Sequence, residues 1–322
     1  MSDILLQTID LVKSFPVRRG SFGQQKLRLT AVDHVNLFIR KGETLGLVGE
    51  SGCGKTTLGL TAMRLYEPTS GSVTFDGIDI TRLNEKEMHN TRRQMQMIFQ
   101  DPLAALDPRM TVEEIIREPL DIHRIWTPKE RTAEIFRLLE VTGMPSDAAM
   151  RFPAEFSGGQ QQRIGIARAL AFRPKMLICD EPVSSLDVSV QAQILNLLRD
   201  LQEQFELTYL FISHNIAVTV FMSKRIGVMY LGKLVEVGPA REIVNQPRHP
   251  YTIALIQAVP EPDPKLRSTK KALIGDVPSP IDRPTGCPFH PRCSLALDRC
   301  KEDDPQQREL SKDHFVACHF AD

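Results

Sequence analysis

Thr44-Leu45-Gly46-Leu47-Val48-Gly49-Glu50-Ser51-Gly52-Cys53-Gly54-Lys55-Thr56 is a short apolar run that empties into a glycine-rich turn closed by Lys-Thr. Its last eight residues, Gly49 to Thr56, fit G-x-x-x-x-G-K-[ST], and a helix-compatible segment starts at Thr57. In such a loop the glycines let backbone N–H groups turn inward around a β-phosphate, and the following helix start adds positive potential. Lys55 then reaches the β and γ oxygens, and the Thr56 hydroxyl faces Mg²⁺. The candidate ATP-binding residues here are Gly49, Ser51, Gly52, Cys53, Gly54, Lys55, Thr56 and Thr57.

Working outward, two further apolar runs end in polar residues: Met176 to Cys179 before Asp180 and Glu181, and Thr208 to Ile212 before Ser213 and His214. From Ile4 to about Leu231 short β-type runs alternate with longer helical stretches, which predicts an α/β fold with a mostly parallel sheet flanked by helices. Ligands of such sheets bind outside the carboxyl ends of the strands, so the three termini can converge on one site. Asp180 is expected to hold Mg²⁺ through its water shell. Glu181 points to the other face of the strand end and can address an attacking water as general base. An Asp-Glu pair is commonly just a solvated turn; a phosphate loop in the same chain favours the catalytic reading.

Prolines 102, 108, 119, 128, 145 and 153 bound a helix-rich stretch, which predicts an inserted helical subdomain over about residues 101–170. Beyond Leu231 proline and turn residues dominate. The expected division is a nucleotide-binding domain over 1–235 and a small loop-rich extension over 236–322, with little room for its own core.

Composition narrows the function classes. A chain of 322 residues with 42% hydrophobic and 25% charged side chains is ordinary globular protein. Forty basic and forty acidic residues give no electrostatic case for gripping nucleic acid. No apolar run approaches the roughly 18 to 20 residues that span a bilayer, and Met1 to Asp10 has no basic region ahead of an apolar one. The expectation is a chain neither secreted nor membrane-spanning, whose six cysteines are reduced thiols or metal ligands.

Phe156-Ser157-Gly158-Gly159-Gln160, followed by helical sequence from Gln161 to Ala171, is the discriminating stretch. It resembles the signature loop of the ATP-binding-cassette (ABC) family, usually written LSGGQ, with Phe156 keeping an apolar residue at the first position. Small residues and a hydroxyl at a helix start make an anion site. The resemblance implies a P-loop ABC-ATPase core in which Ser157, Gly158, Gly159 and Gln160 close on ATP held by a second subunit, head to tail. It further implies that Gln100 contacts Mg²⁺ and the attacking water, that Asp187 in Ser184-Ser185-Leu186-Asp187 belongs to the D-loop, and that His214 binds the γ-phosphate. Asn215 stands where many relatives have Asp. Phe15 is the candidate for stacking on adenine, with Phe22 as a rival.

Gln246-Pro247-Arg248-His249-Pro250-Tyr251-Thr252 is similar to a segment of ATPase subunits from oligopeptide, dipeptide and nickel importers. Phe15 to Gly20 and Asn84 to Arg93 look more like the second of the two ATPases in such systems. That implies a heterodimeric partner ATPase, two membrane permeases, an external solute-binding protein and a peripheral place on the cytoplasmic face of the membrane. Soluble ABC ATPases of DNA repair need a long coiled coil, and those of translation usually carry two cassettes; the sequence has neither. Cys287, Cys293, Cys300 and Cys318, spaced C-x5-C-x6-C-x17-C, crowd into the tail. Four thiolates there can bind a 4Fe-4S cluster, which the importer resemblance favours, or zinc, or nothing.

Overall fold

The computed structural model describes residues 3–19, 25–258 and 275–321. Its strands in chain order are β1 Ile4–Arg19, β2 Gln25–Arg40, β3 Thr44–Val48, β4 Ser70–Phe75, β5 Ile78–Asp79, β6 Met95–Ile98, β7 Met176–Asp180, β8 Thr208–Ile212, β9 Arg225–Tyr230, β10 Lys233–Pro239, β11 Arg308–Ser311 and β12 His314–Val316. The helices are α1 Lys55–Ala62, α2 Glu85–Arg92, α3 Pro102–Ala105, α4 Val112–Ile122, α5 Pro128–Val141, α6 Gly158–Leu170, α7 Val188–Phe205, α8 Ile216–Met222, α9 Ala240–Asn245, α10 Pro250–Gln257 and α11 Asp298–Glu302. They fall into two compact units, one of Met1–Ile39, Thr44–Arg82 and Ser213–Asp322, the other of Arg40–Glu43 and Leu83–Ile212.

In the first unit β9 runs parallel to β3, with Val48 opposite Val228, and antiparallel to β10. Every residue of β3 and β9 is buried, which is why both read as apolar runs and not as alternating patterns. A separate antiparallel sheet has the order β2-β1-β4-β5. The second unit holds three parallel strands, β6 beside β7 beside β8, the last two buried along their whole length.

Helices α4 and α5 of the second unit are written in local chemistry. Thr111 and Thr127 each begin a helix with a capping box, closed by Glu114 and Glu130 three residues on. Val112, Ile115, Ile116 and Leu120 form one buried stripe of α4, and Ile135, Leu138 and Leu139 the facing kind of stripe on α5. Pro128 sits at the first position of α5, where its missing N–H is no loss.

The C-terminal extension adds strands to the first unit. Antiparallel pairing sets Glu236 of β10 opposite Val316 of β12, and β12 turns back onto β11. Tyr251, Cys287, Phe289 and Cys300 share one apolar cluster with Val48, Ile226, Val228 and Tyr230. Borrowing the core of the sheet in this way makes a core of its own unnecessary. Arg283 pairs with Asp33 at 2.6 Å, and Lys233 with both Asp33 and Asp304.

This packing corrects the iron–sulfur expectation and its zinc alternative. Among the described residues no group of three or more His, Cys, Asp or Glu side chains is placed to hold a metal ion. Cys287 and Cys300 are buried, Cys293 and Cys318 partly so. Burial pushes the Cys287 thiol up to about 11 and also raises Cys293 and Cys318. A buried free cysteine behaves as a small hydrophobe. What staples the tail is strand pairing, aromatic packing and ion pairs.

Candidate active site

The glycine-rich loop Gly49 to Gly54 lies in the first unit, between β3 and α1. Gly49 has φ +155°, and a Cβ there would come within 2.1 Å of the Met229 carbonyl oxygen on β9. Gly54, at φ +107°, would bring a Cβ within 2.0 Å of the Ala31 carbonyl oxygen. Both positions therefore admit glycine alone. Lys55 is buried, and its Nζ donates to the carbonyls of Gly49 at 2.8 Å and Glu50 at 3.1 Å. The ammonium is thus folded into the loop that its own backbone forms. Ser51, Gly52 and Thr56 are exposed, Thr57 is half-buried, and Cys53 is a buried thiol raised by desolvation at the base of the loop.

His214 follows β8 and belongs to the same unit, exposed next to buried Ser213. Asn215 accepts from the N–H groups of Ala217 at 3.0 Å and Val218 at 3.3 Å, so it caps α8 as an Asp would. Phe15 lies on β1 with its ring edge-on to Tyr66, centroids 5.4 Å apart, and the Lys13 ammonium 5.0 Å from its centroid. Its rival Phe22 lies outside the described residues.

Asp180 and Glu181 lie in the second unit. Asp180 ends β7 and is buried, and Glu181 follows in the left-handed region at φ +46° with its N–H donating to the Ile212 carbonyl at 2.9 Å. A non-glycine residue held there stores strain of order 1–3 kcal/mol, tolerated where surrounding structure fixes it. Gln100, just beyond β6, donates from Nε2 to Glu181 Oε2 at 3.0 Å. Residues 81 positions apart are thus brought together at the carboxyl ends of neighbouring strands. The oxygen donors of Gln100 and Asp180 are of the hard type that Mg²⁺ takes.

The signature stretch begins α6 in the second unit. Ser157 Oγ accepts from the Gln160 N–H, Gln160 Oε1 accepts from the Ser157 N–H at 3.0 Å, and buried Gln161 donates to the carbonyls of Pro153 and Phe156. This fixes the loop and leaves Ser157 and Gly158 exposed at a helix start. Gly159 is buried where a Cβ would meet Val190 at 2.4 Å. Exposed Asp187 precedes α7.

Sequence reasoning passed over Glu50, Tyr251 and Arg292, which the structure joins directly. The available signal was an acidic side chain inside an anion-binding loop, a charge that needs a partner.

The profile described as ABC transporter matches residues 32–184, and that for the oligopeptide/dipeptide transporter C-terminal region matches 235–300. The oligopeptide transport ATP-binding protein AppF of Bacillus subtilis is 48% identical over 321 residues, 99% of this chain and 98% of that one. A dimeric ATP-binding cassette in a post-hydrolysis state, bound to ADP and Pi, is 30% identical with a TM-score of 0.65 over 74% of this chain and 99% of its own. The cbiO1 protein of Clostridium perfringens, part of a cbiONQ transporter complex, shares the fold at 24% identity, with a TM-score of 0.65 over 79% of this chain and 94% of its own.

Proposed function

The chain belongs to the ATP-binding subunits of ABC-type oligopeptide transporters, and on that premise we propose that its ATP hydrolysis powers import of di- and oligopeptides. The observation that carries the hydrolytic reading is the 3.0 Å contact between Gln100 and Glu181 at the strand ends. A carboxylate fixed by an amide donor can orient a water and take its proton as that water attacks the γ-phosphorus. Gly49 to Thr57 would cradle the phosphates, with Lys55 leaving its loop carbonyls for the β and γ oxygens. Thr56, Gln100 and Asp180 would hold Mg²⁺, which screens the phosphate charge when bound, and His214 would meet the γ-phosphate. Phe15 would stack on adenine. Ser157 to Gln160, with Asp187 beside the shared interface, would complete the site of a partner ATPase.

Residues 1–235 would then form the motor, with 101–170 as its helical subdomain facing the permeases, and 236–322 the peptide-importer extension. No helix among the described residues is long and apolar enough to cross a membrane. The likeness to peptide-importer ATPases supports a place at the cytoplasmic face, working with a second ATPase, two permeases and an external binding protein. The test is purification of the tagged chain from membranes, followed by reconstitution with its co-purifying subunits. ATP hydrolysis stimulated by peptide-loaded binding protein is expected; stimulation by a nickel chelate and not by peptides would reassign the solute.

Two substitutions probe the phosphate contacts. Lys55→Ala should weaken MgATP binding by about 10- to 100-fold, the range of a lost charge-assisted hydrogen bond or two. Unchanged affinity by calorimetry would remove Lys55 from the site. Ser157→Arg should block closure of the partner's site, so ATPase activity of the assembled complex falls while this chain's own nucleotide affinity holds. Full activity of the complex carrying Ser157→Arg would contradict a site shared between subunits.

A further inference from the structure

Glu50 puts a negative charge into a loop built to hold anions, and that charge is met from the C-terminal extension. Arg292 Nη1 donates to Glu50 Oε2 at 2.8 Å and Nη2 to Oε1 at 3.0 Å, a parallel two-point grip. The Arg292 side chain is 5% exposed and that of Glu50 26%, so water screens the pair poorly. The backbone of Glu50 is held as well. Its N–H donates to the Tyr251 hydroxyl oxygen at 3.0 Å, and its carbonyl accepts from Lys55 Nζ and, at 3.2 Å, from the Cys53 N–H.

The groups that reach Glu50 have a rigid seat. The rings of Tyr230, Tyr251 and Phe289 pack with centroids 4.7 to 5.4 Å apart, and the Arg292 guanidinium lies 5.8 Å from the Tyr230 centroid. Burial raises the Tyr251 hydroxyl, so it stays protonated and neutral throughout the working range. Tyr251 enters through α10, where the Nδ1 of buried His249 accepts from its N–H at 3.0 Å.

We propose that Arg292 and Tyr251 are positioning residues for the nucleotide phosphates: Arg292 neutralises Glu50, Tyr251 fixes its backbone, and the C-terminal extension thereby sets the nucleotide affinity of the phosphate loop. The inference rests on the reading of Gly49 to Thr56 as the ATP site. Without Arg292 the Glu50 carboxylate stands unpaired in the loop that must accept a polyphosphate, and like charge opposes binding. Lys55, whose ammonium already touches the Glu50 carbonyl, is then drawn toward that anion and away from the phosphates.

The experiment is calorimetric titration of the full chain with MgADP, which carries the β-phosphate and is not consumed. Arg292→Ala is expected to raise the Kd about tenfold, within the range for a lost hydrogen-bonded charge partner. Glu50→Gln removes the charge at issue. In the Glu50→Gln background the Arg292→Ala change should therefore have no further effect on Kd. Arg292→Lys, keeping the charge but not the two-point grip, should restore part of the affinity. A purely structural Arg292 would weaken binding equally in both backgrounds; that result, or an unchanged Kd in Arg292→Ala, overturns the proposal. Should Arg292→Ala fail to fold, Arg292→Lys with and without Glu50→Gln gives the same decision. Failure of the unsubstituted chain to bind MgADP would instead dismiss the ATP-site reading itself.

Discussion

Glu181→Gln is expected to lower ATP turnover in the assembled transporter by about 10²- to 10⁴-fold, the usual contribution of a positioned general base, while leaving ATP affinity unchanged. The substitution is nearly isosteric. Its amide oxygen can still accept from Gln100 Nε2, now 3.0 Å from a carboxylate oxygen, so the strand end keeps its local geometry. The left-handed backbone at φ +46° is equally open to either side chain, and the Glu181 N–H bond to Ile212 does not involve the carboxylate. What disappears is the basic oxygen that takes the water's proton. Because nothing in the phosphate loop changes, nucleotide-bound dimers should accumulate, visible as an ATP-dependent shift in size-exclusion chromatography. Single-turnover hydrolysis near the unsubstituted rate would place the base elsewhere.

How much of this was legible in the sequence depends on the range over which each feature is encoded. The turn from Gly49 to Thr56 could be read directly, because its chemistry is local: glycines 49 and 54 sit where a Cβ would strike a backbone oxygen, and the motif is a record of that exclusion. The starts of α4 and α5 were equally readable, since Thr111 and Thr127 name them within four residues. The tail was not. Spacing gave four cysteines the look of a metal site, but whether a thiol is a ligand or a packing atom is decided by its neighbours in space. Cys287 and Cys300 belong to one apolar cluster with Tyr230, Tyr251 and Phe289, which no spacing rule reports. The Arg292 to Glu50 pair spans 242 positions, and neither residue carries a local pattern that announces the other. Long-range electrostatic pairing leaves its trace in one sequence only as a charge in an unexpected place.

The largest stability effect is expected at a second long-range pair, Glu236 and His314. Glu236 on β10 is fully buried and accepts from the N–H groups of Arg248 and His249, each at 2.9 Å, and from His314 Nε2 at 2.8 Å. The other ring nitrogen of His314 lies 3.1 Å from Glu242 on α9. With a carboxylate at each ring nitrogen, the imidazole is raised above its ordinary value, chiefly by its bond to Glu236. Burial alone would push Glu236 up, but His314 and the two backbone donors outweigh it and hold the carboxyl low. The Glu236 contribution is thus present above its ordinary 4.5 and is lost as pH falls through its lowered value. The His314 contribution is complete below its ordinary 6.5 and is lost as pH rises through its raised value. Between these two ordinary values the pair stands at full strength. There His314→Leu should cost about 3 to 5 kcal/mol, because it leaves a buried carboxylate without its cation. Adding Glu236→Leu should recover only part of that loss, since it removes the unpaired carboxylate but leaves the N–H groups of Arg248 and His249 without their acceptor. Buried His249, pushed down to about 4, loses stability on acidification from 6.5, so the pair is isolated only by comparing each protein with His314→Leu at the same pH. In thermal unfolding the gap between the two should narrow as pH rises past the raised His314 value. A gap that stays constant from acid to alkaline pH would mean that His314 acts by shape and not by charge.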